Sequence, residues 1–119
     1  MNQSLFGTKK LGFGMMRLPM CKNDGAPDTV DTDQVCRMVD RFLERGFCYF
    51  DTAHGYLDGQ SETALRTCLT SRHPRHTYRL TNKLSGGFFK TEADIRPLFE
   101  SQLAACGVEY FDIYLLHSI

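Results

Sequence analysis

The chain alternates between short segments that are bounded by turn residues and longer segments in which apolar residues recur every three or four positions. Four short segments, Leu11–Met16, Phe47–Phe50, Tyr78–Lys83 and Tyr110–Leu116, predict strands. The longer segments between them have the periodicity of amphipathic helices. Strand and helix signals therefore follow each other in turn along the chain.

Two of the three predicted helices have clear boundaries. The first is capped by Asp31 or Thr32 and stopped by Gly46, and the second starts at Ser61. The polar segment Cys21–Asp31 ahead of them contains a glycine and a proline and predicts a loop. The inner faces are expected to be Val35, Met38, Val39, Phe42 and Leu43 in the first helix, and Ala64, Leu65, Cys68 and Leu69 in the second.

The third helix has two candidate starts because of Pro97. If Thr91 were the cap, Pro97 would remove an N–H that the helix needs, whereas with Asp94 as the cap that N–H lies in the first turn and has no helical partner. We favour Asp94, after a preceding turn, and expect Gly107 to end the helix. Its inner face is Ile95, Leu98, Phe99, Gln102, Leu103 and Cys106.

Alternating strands and helices predict an α/β fold with a parallel sheet and right-handed crossovers. Met16, Asp51, Lys83 and His117 each close a predicted strand, and they recur at nearly equal intervals. The carboxyl ends of parallel strands lie at one rim, which in barrels is where the chemistry takes place. We therefore expect these side chains to converge.

The composition narrows the class of protein. The formal net charge of zero argues against a nucleic-acid binder, which usually carries a basic excess. No segment has the length and apolarity of a signal-peptide core or a membrane span, so a cytoplasmic protein is expected. The cysteines form no C-x-x-C pair, which predicts reduced thiols rather than a metal site: Cys21, Cys36, Cys48, Cys68 and Cys106.

Asp51, Tyr56, Lys83 and His117 form one chemical set. Taken singly, each has a plainer interpretation: a loop cap, a packed ring, a surface charge and a structural imidazole. Together they suit carbonyl reduction, in which hydride addition leaves an alkoxide that needs a proton. A tyrosine can donate it, a nearby lysine ammonium stabilises the phenolate, an aspartate holds the lysine, and a histidine orients the carbonyl oxygen.

The segment Gly46–Tyr56, which contains the D-T-A-x-x-Y motif, and the following Gly59–Glu62 closely resemble the signature of the aldo-keto reductases. Thr81–Lys83 resembles that family's strand ending in the catalytic lysine, with Asn82 where threonine is more usual. Tyr114–His117 resembles the strand ending in the family's histidine. The resemblance implies that Tyr56 is the general acid, tuned by Lys83, with Asp51 holding Lys83 and His117 positioning the carbonyl.

The same resemblance implies NADPH as the cofactor, with NADH as the alternative, and no metal. It places the nicotinamide end of the cofactor near Asp51 and the loop after the first strand: Gly14, Met15, Met16 and Arg17. Core packing is the plainer interpretation of the two methionines. The Gly12–Gly14 pair is not a dinucleotide-binding fingerprint, because a third glycine and a following helix are missing.

The fold that the resemblance implies is the N-terminal half of a (β/α)8 TIM barrel, a single partial domain over residues 1–119. A whole barrel typically has about 250 residues, so we expect the isolated chain to have little reductase activity and to lack its C-terminal half. Its substrate would be a small carbonyl compound. The alternatives are a non-enzymatic auxiliary subunit that closes a barrel as a homodimer, and another half-barrel enzyme such as a phosphate-binding isomerase, for which the sequence offers no positive feature.

Overall fold

A computed structural model describes residues 9–119. The strands are β1 (Gly12–Gly14), β2 (Met20–Cys21), β3 (Thr29–Val30), β4 (Tyr49–Asp51), β5 (Arg79–Ser85) and β6 (Ile113–His117). Four parallel strands form the main sheet in the order β1-β4-β5-β6, and β2 and β3 form a separate two-stranded antiparallel sheet. Helices connect the strands of the main sheet, so the predicted parallel α/β architecture is confirmed.

The helical segments lie between these strands. The α-helices are α1 (Thr32–Glu44), α2 (Gln60–Leu65) and α3 (Ile95–Cys106). A π-helical turn, Arg66–Thr70, continues α2 directly, and 3₁₀ turns span Tyr56–Gly59, Arg75–Thr77, Gly86–Phe88 and Glu92–Asp94.

The boundaries of α1 follow from its capping residues. Asp31 is the N-cap, and its side chain accepts a hydrogen bond from the backbone N–H of Gln34 at 3.2 Å. Gly46 follows the helix with a φ of 88°, a conformation that glycine adopts without strain. On its predicted inner face, Val35 and Val39 are buried, whereas Met38 is exposed.

The start of α3 explains how Pro97 is accommodated. Thr91 caps a 3₁₀ turn through a capping box with Asp94, and α3 begins immediately afterwards with Asp94 as its N-cap. Pro97 therefore lies in the first turn of α3, as the favoured interpretation predicts. Gly107 ends the helix in the left-handed conformation with a φ of 71°.

The main sheet and the helices enclose one hydrophobic core. Phe50 of β4 and Leu80 of β5 are fully buried at its centre, and the Phe50 ring stacks on Phe13 of β1 at 5.5 Å between centroids. The predicted inner face of the second helix is buried throughout: Ala64, Leu65, Cys68 and Leu69. This packing fixes β4 and β5 side by side.

Two features differ from the sequence predictions. The predicted loop Cys21–Asp31 includes most of a small hairpin, β2 with β3, which the side chain of Gln60 holds by accepting from the Val30 N–H at 2.9 Å. Reduced thiols were expected, but the structure joins Cys36 and Cys68 in a disulfide between α1 and the π-helical turn, with the Cα atoms 4.5 Å apart. The two residues are 32 positions apart, so packing rather than a local motif brings them together.

Both outer strands of the main sheet have a free edge within residues 9–119, because none of the described strands pairs beyond β1 or β6. Apolar side chains are exposed at these edges: Leu11, Met16, Leu115, Leu116 and Ile119. None of the helices in the described part of the chain is long and apolar enough to cross a membrane.

Candidate active site

The carboxyl ends of β4 and β5 bring Asp51 and Lys83 into contact. The two strands are parallel, and Asp51 lies opposite Thr81 in their register. Lys83 is two residues further along β5 than Thr81, so its side chain is on the same face of the sheet. The Lys83 Nζ atom donates a hydrogen bond to Asp51 Oδ1 at 2.5 Å and another to the Thr52 carbonyl oxygen at 2.7 Å. Lys83 is only 7% exposed, so these partners compensate a largely buried charge.

Tyr56 lies beside this ion pair. Its backbone N–H donates to the Ala53 carbonyl at 3.2 Å, which closes a tight turn after β4. The next two residues, Leu57 and Asp58, both have a φ of 54°, a costly conformation for residues with a side chain. The strained turn brings the Tyr56 ring to 4.8 Å from Lys83 Nζ, within the range of a cation–π contact.

His117, at the end of β6, reaches the same place. Its ring lies edge-on to Tyr56, with the centroids 6.2 Å apart and an interplanar angle of 82°. Its Nδ1 atom shares a hydrogen bond of 2.8 Å with the Ser85 hydroxyl, which β5 places opposite His117 in the register. That bond fixes the orientation of the imidazole and leaves Nε2 available for another partner.

The four predicted catalytic residues therefore form one group at the carboxyl rim of the sheet: Asp51, Tyr56, Lys83 and His117. Ser85 was not among the residues predicted from the sequence. Its position two residues after Lys83, on the same face of the strand, was the signal that could have identified it.

The residues proposed to contact a cofactor divide into two kinds. The Met15 side chain is fully buried in the core, which is the packing role that the plainer interpretation gave it. Gly14 lies opposite Asp51 and has open space where a side chain would project, and Met16 and Arg17 are exposed beside it. Gly14 thus leaves open space at the rim opposite Asp51.

Comparison with known proteins adds to this geometry. Residues 10–119 match the model of the Aldo/keto reductase family. The chain is also 30% identical over 95 residues to the proteins called aldo-keto reductase family 1 member C3 of Homo sapiens and Pongo abelii. These alignments cover 78% of this chain and 29% of each relative, so the chain spans less than a third of their length.

Solved structures share the fold. The holo form of an aldo-keto reductase from Bacillus halodurans is 28% identical, with a TM-score of 0.70 over 98% of this chain and 39% of that protein. An aldo-keto reductase from Klebsiella pneumoniae in complex with NADPH is 23% identical, with a TM-score of 0.70 over 89% of this chain and 34% of its own. The parallel strands and helices described above correspond to an N-terminal portion of these barrels, and with the family match over residues 10–119 they show that the chain belongs to the aldo/keto reductase family.

Proposed function

We propose that this chain supplies the proton-transfer site of an NADPH-dependent carbonyl reductase, which converts aldehydes or ketones to alcohols. The observation that carries the proposal is the position of the Lys83 ammonium group, which contacts both the Asp51 carboxylate and the Tyr56 ring. A surface lysine would have neither contact, and a purely structural ion pair would not need a tyrosine and a histidine beside it.

NADPH is the cofactor that we propose, with NADH as the alternative. When bound, it would supply a hydride to the carbonyl carbon of the substrate. Gly14, Met16 and Arg17 form the side of the rim that could hold its nicotinamide end, because Gly14 has open space opposite Asp51 and the next two exposed residues are Met16 and Arg17. Met15 would contribute only its backbone, since its side chain is buried.

The roles of the remaining residues follow from their contacts. Tyr56 would transfer its hydroxyl proton to the carbonyl oxygen as the C–H bond forms, and the resulting phenolate would regain a proton from solvent. Lys83 stabilises that phenolate by its positive charge, and Asp51 keeps the ammonium in place. His117 would donate a hydrogen bond from Nε2 to the carbonyl oxygen, while Ser85 fixes the other nitrogen.

The experiment is a measurement of NADPH oxidation by the purified chain against a panel of small aldehydes and quinones. Y56F should abolish any turnover. The matched control Y110F changes an exposed tyrosine outside the candidate active site and should leave turnover intact. Turnover that survives in Y56F would overturn the assignment of Tyr56.

We further propose that residues 1–119 form a single partial barrel domain of a cytoplasmic protein. The free edges of β1 and β6, with exposed Leu11 directly before β1 and exposed Leu115 and Leu116 in β6, support a second candidate role, in which two copies associate and close a barrel. Analytical ultracentrifugation tests this role: a mass of two chains that shifts to one chain in L116E is expected. A single-chain mass at all concentrations would contradict it.

A further inference from the structure

A second group of buried polar side chains lies on the helix-facing side of β5, behind the candidate active site. Glu62 of α2 is 1% exposed, and Asn82 of β5 and Gln102 of α3 are 0% exposed. Tyr114 of β6, which is half-buried, completes the group, and we call these four residues the amide cluster. The proposed reaction uses none of these residues, and burying so many polar groups is costly unless they are satisfied.

The amide cluster lies next to the point along β5 at which its backbone hydrogen bonds to β4 end. Arg79 N–H donates to the Cys48 carbonyl at 2.8 Å, and the Thr81 carbonyl accepts from Thr52 N–H at 3.0 Å. The backbone N–H and carbonyl groups of both of these β5 residues point toward β4. Lys83 is the next residue on that side, and it lies beyond the last registered pair of the two strands.

Two side-chain amides provide the partners that β4 does not. The Lys83 N–H donates to Asn82 Oδ1 at 2.8 Å, and the Lys83 carbonyl accepts from Gln102 Nε2 at 3.0 Å. Gln102 Nε2 also donates to Asn82 Oδ1 at 3.0 Å, so the two amides support each other. The main chain of Lys83 is thereby held on both of its polar atoms.

The outer members of the cluster fix the direction in which each amide points. Asn82 Nδ2 donates to Glu62 Oε2 at 2.8 Å, so its carbonyl oxygen must face Lys83. The Tyr114 hydroxyl donates to Gln102 Oε1 at 2.5 Å, so the Gln102 nitrogen must face Asn82 and Lys83. Burial raises the pKa of Tyr114, which keeps this hydroxyl a donor.

We propose that Asn82 and Gln102 are positioning residues, which hold the backbone of Lys83 so that its ammonium group stays between Asp51 and Tyr56. The inference rests on the proposed function for its catalytic meaning, but the placement of Lys83 can be measured without turnover. A lysine side chain has many rotamers, so a fixed backbone is needed to keep its charge within reach of one tyrosine.

The test exchanges the donor and the acceptor within the cluster. N82D places a second carboxylate against Glu62 and removes the donor between them. In N82D/E62Q the amide donor is at position 62 and the carboxylate acceptor is at position 82, so a hydrogen bond between the two side chains can form again. Position 82 also keeps an oxygen that can accept from the Lys83 N–H. Q102E retains the acceptor for Tyr114 but loses the donor to the Lys83 carbonyl.

Q60M is the matched control. Gln60 is also a bridging amide, which binds Val30 N–H and the Asp28 carbonyl, but it does so in the small hairpin away from Lys83. Its loss should loosen the hairpin and leave Lys83 unchanged.

The first measurements are amide hydrogen exchange at Lys83 and acetylation of its amine relative to that of exposed Lys90. Both should rise about tenfold in N82D and Q102E, as expected for loss of one buried hydrogen bond, and return toward the original values in N82D/E62Q. Unchanged exchange and acetylation in both single variants would overturn the proposal.

Where the preparation turns over NADPH, kcat should fall in N82D with little change in KM, and it should recover in N82D/E62Q. A kcat no lower in N82D than in Q60M would also overturn the proposal. Absence of turnover in the unsubstituted chain would count against the proposed function alone, because exchange and acetylation still report where Lys83 is held.

Discussion

Asp51 and Lys83 lie on neighbouring strands and form an ion pair in which the two partners differ in burial. The lysine side chain is 9% exposed and the aspartate side chain 32% exposed. Removing the aspartate would leave a buried positive charge, whereas removing the lysine would leave a more exposed negative charge. The two substitutions should therefore lower the free energy of unfolding by different amounts.

We expect D51N to destabilise the chain more than K83M. D51N replaces the carboxylate by a neutral amide, so the buried ammonium keeps only neutral acceptors and the ring of Tyr56 as partners, at a cost of about 2 kcal/mol or more. K83M leaves a carboxylate that water can reach, so about 1 kcal/mol or less is expected. Urea unfolding of both variants measures the difference, and an equal or larger loss in K83M would contradict this account.

S85A should weaken the proposed reaction without unfolding the chain. The Ser85 hydroxyl is bonded to His117 Nδ1, and its loss frees the imidazole to rotate. A fall in kcat/KM of about fivefold is expected for one neutral hydrogen bond. Steady-state kinetics on an active preparation measures it, with S71A, whose hydroxyl bonds a helical carbonyl elsewhere, as the control. Equal effects of the two substitutions would remove the role given to Ser85.

F50A should be among the most destabilising substitutions in the chain. Phe50 is fully buried and contacts the rings of Phe13 and Phe42, so its truncation leaves a cavity that costs about 3–5 kcal/mol. F88A removes a ring that is 50% exposed and should cost less than about 1 kcal/mol. Thermal or urea unfolding compares them, and a small effect of F50A would show that the core is arranged differently.

The cysteines should differ in their reaction with iodoacetamide under native conditions. Cys21 is exposed and should be modified first, whereas Cys106 is buried and burial raises the pKa of its thiol, which suppresses the reactive thiolate. Cys36 and Cys68 should react only after reduction and unfolding, because they are joined. Mass spectrometry of the peptides identifies the sites. Alkylation of Cys36 before reduction would show that the disulfide does not form in solution.

D40N should reduce stability at neutral pH and have little effect at strongly acid pH. The Arg72 guanidinium, with a smaller contribution from His73, holds the pKa of Asp40 below its ordinary value of 3.8. A lowered pKa means that the carboxylate contributes stability above that ordinary value, and that the contribution is lost as the pH falls through the folded-state value.

Because Asp40 and Arg72 are each about one third exposed, the loss in D40N should be about 1 kcal/mol or less. Unfolding curves at several pH values give the difference, with the exposed Asp24 in D24N as the control. A difference between D40N and the original chain that persists unchanged in acid would contradict this assignment.

The sequence predicts the strands and helices of the main sheet because their signals are local. Asp31 caps α1 through a hydrogen bond from a backbone N–H three residues on, Asp94 directly precedes α3, and Gly107 ends α3 in the left-handed conformation; the structure confirms these three boundaries. The strand ends were less accurate: the fourth strand, expected at Tyr110–Leu116, extends over Ile113–His117. Pairing with β5 sets those ends, and a single segment does not reveal its partner.

The features that the sequence did not predict depend on contacts between distant positions. The β2–β3 hairpin is held by Gln60, and the disulfide joins two helical segments that touch only in the folded chain. Gln102 was expected on the inner face of α3, but its partners come from β5 and β6. Periodicity predicts which side of a helix is buried and cannot identify what it contacts there.

The amide cluster has a further consequence for how the chain folds. Side chains alternate across a strand, so a slip of β5 by one residue would turn Lys83 toward the helices and an apolar or amide side chain into the site. The same slip would deprive Glu62 and Gln102 of their hydrogen bonds to Asn82 in the interior. A misaligned β5 would thus lose favourable contacts on both of its faces at once. The buried polar groups behind β5 therefore help to select the correct register of this strand during folding.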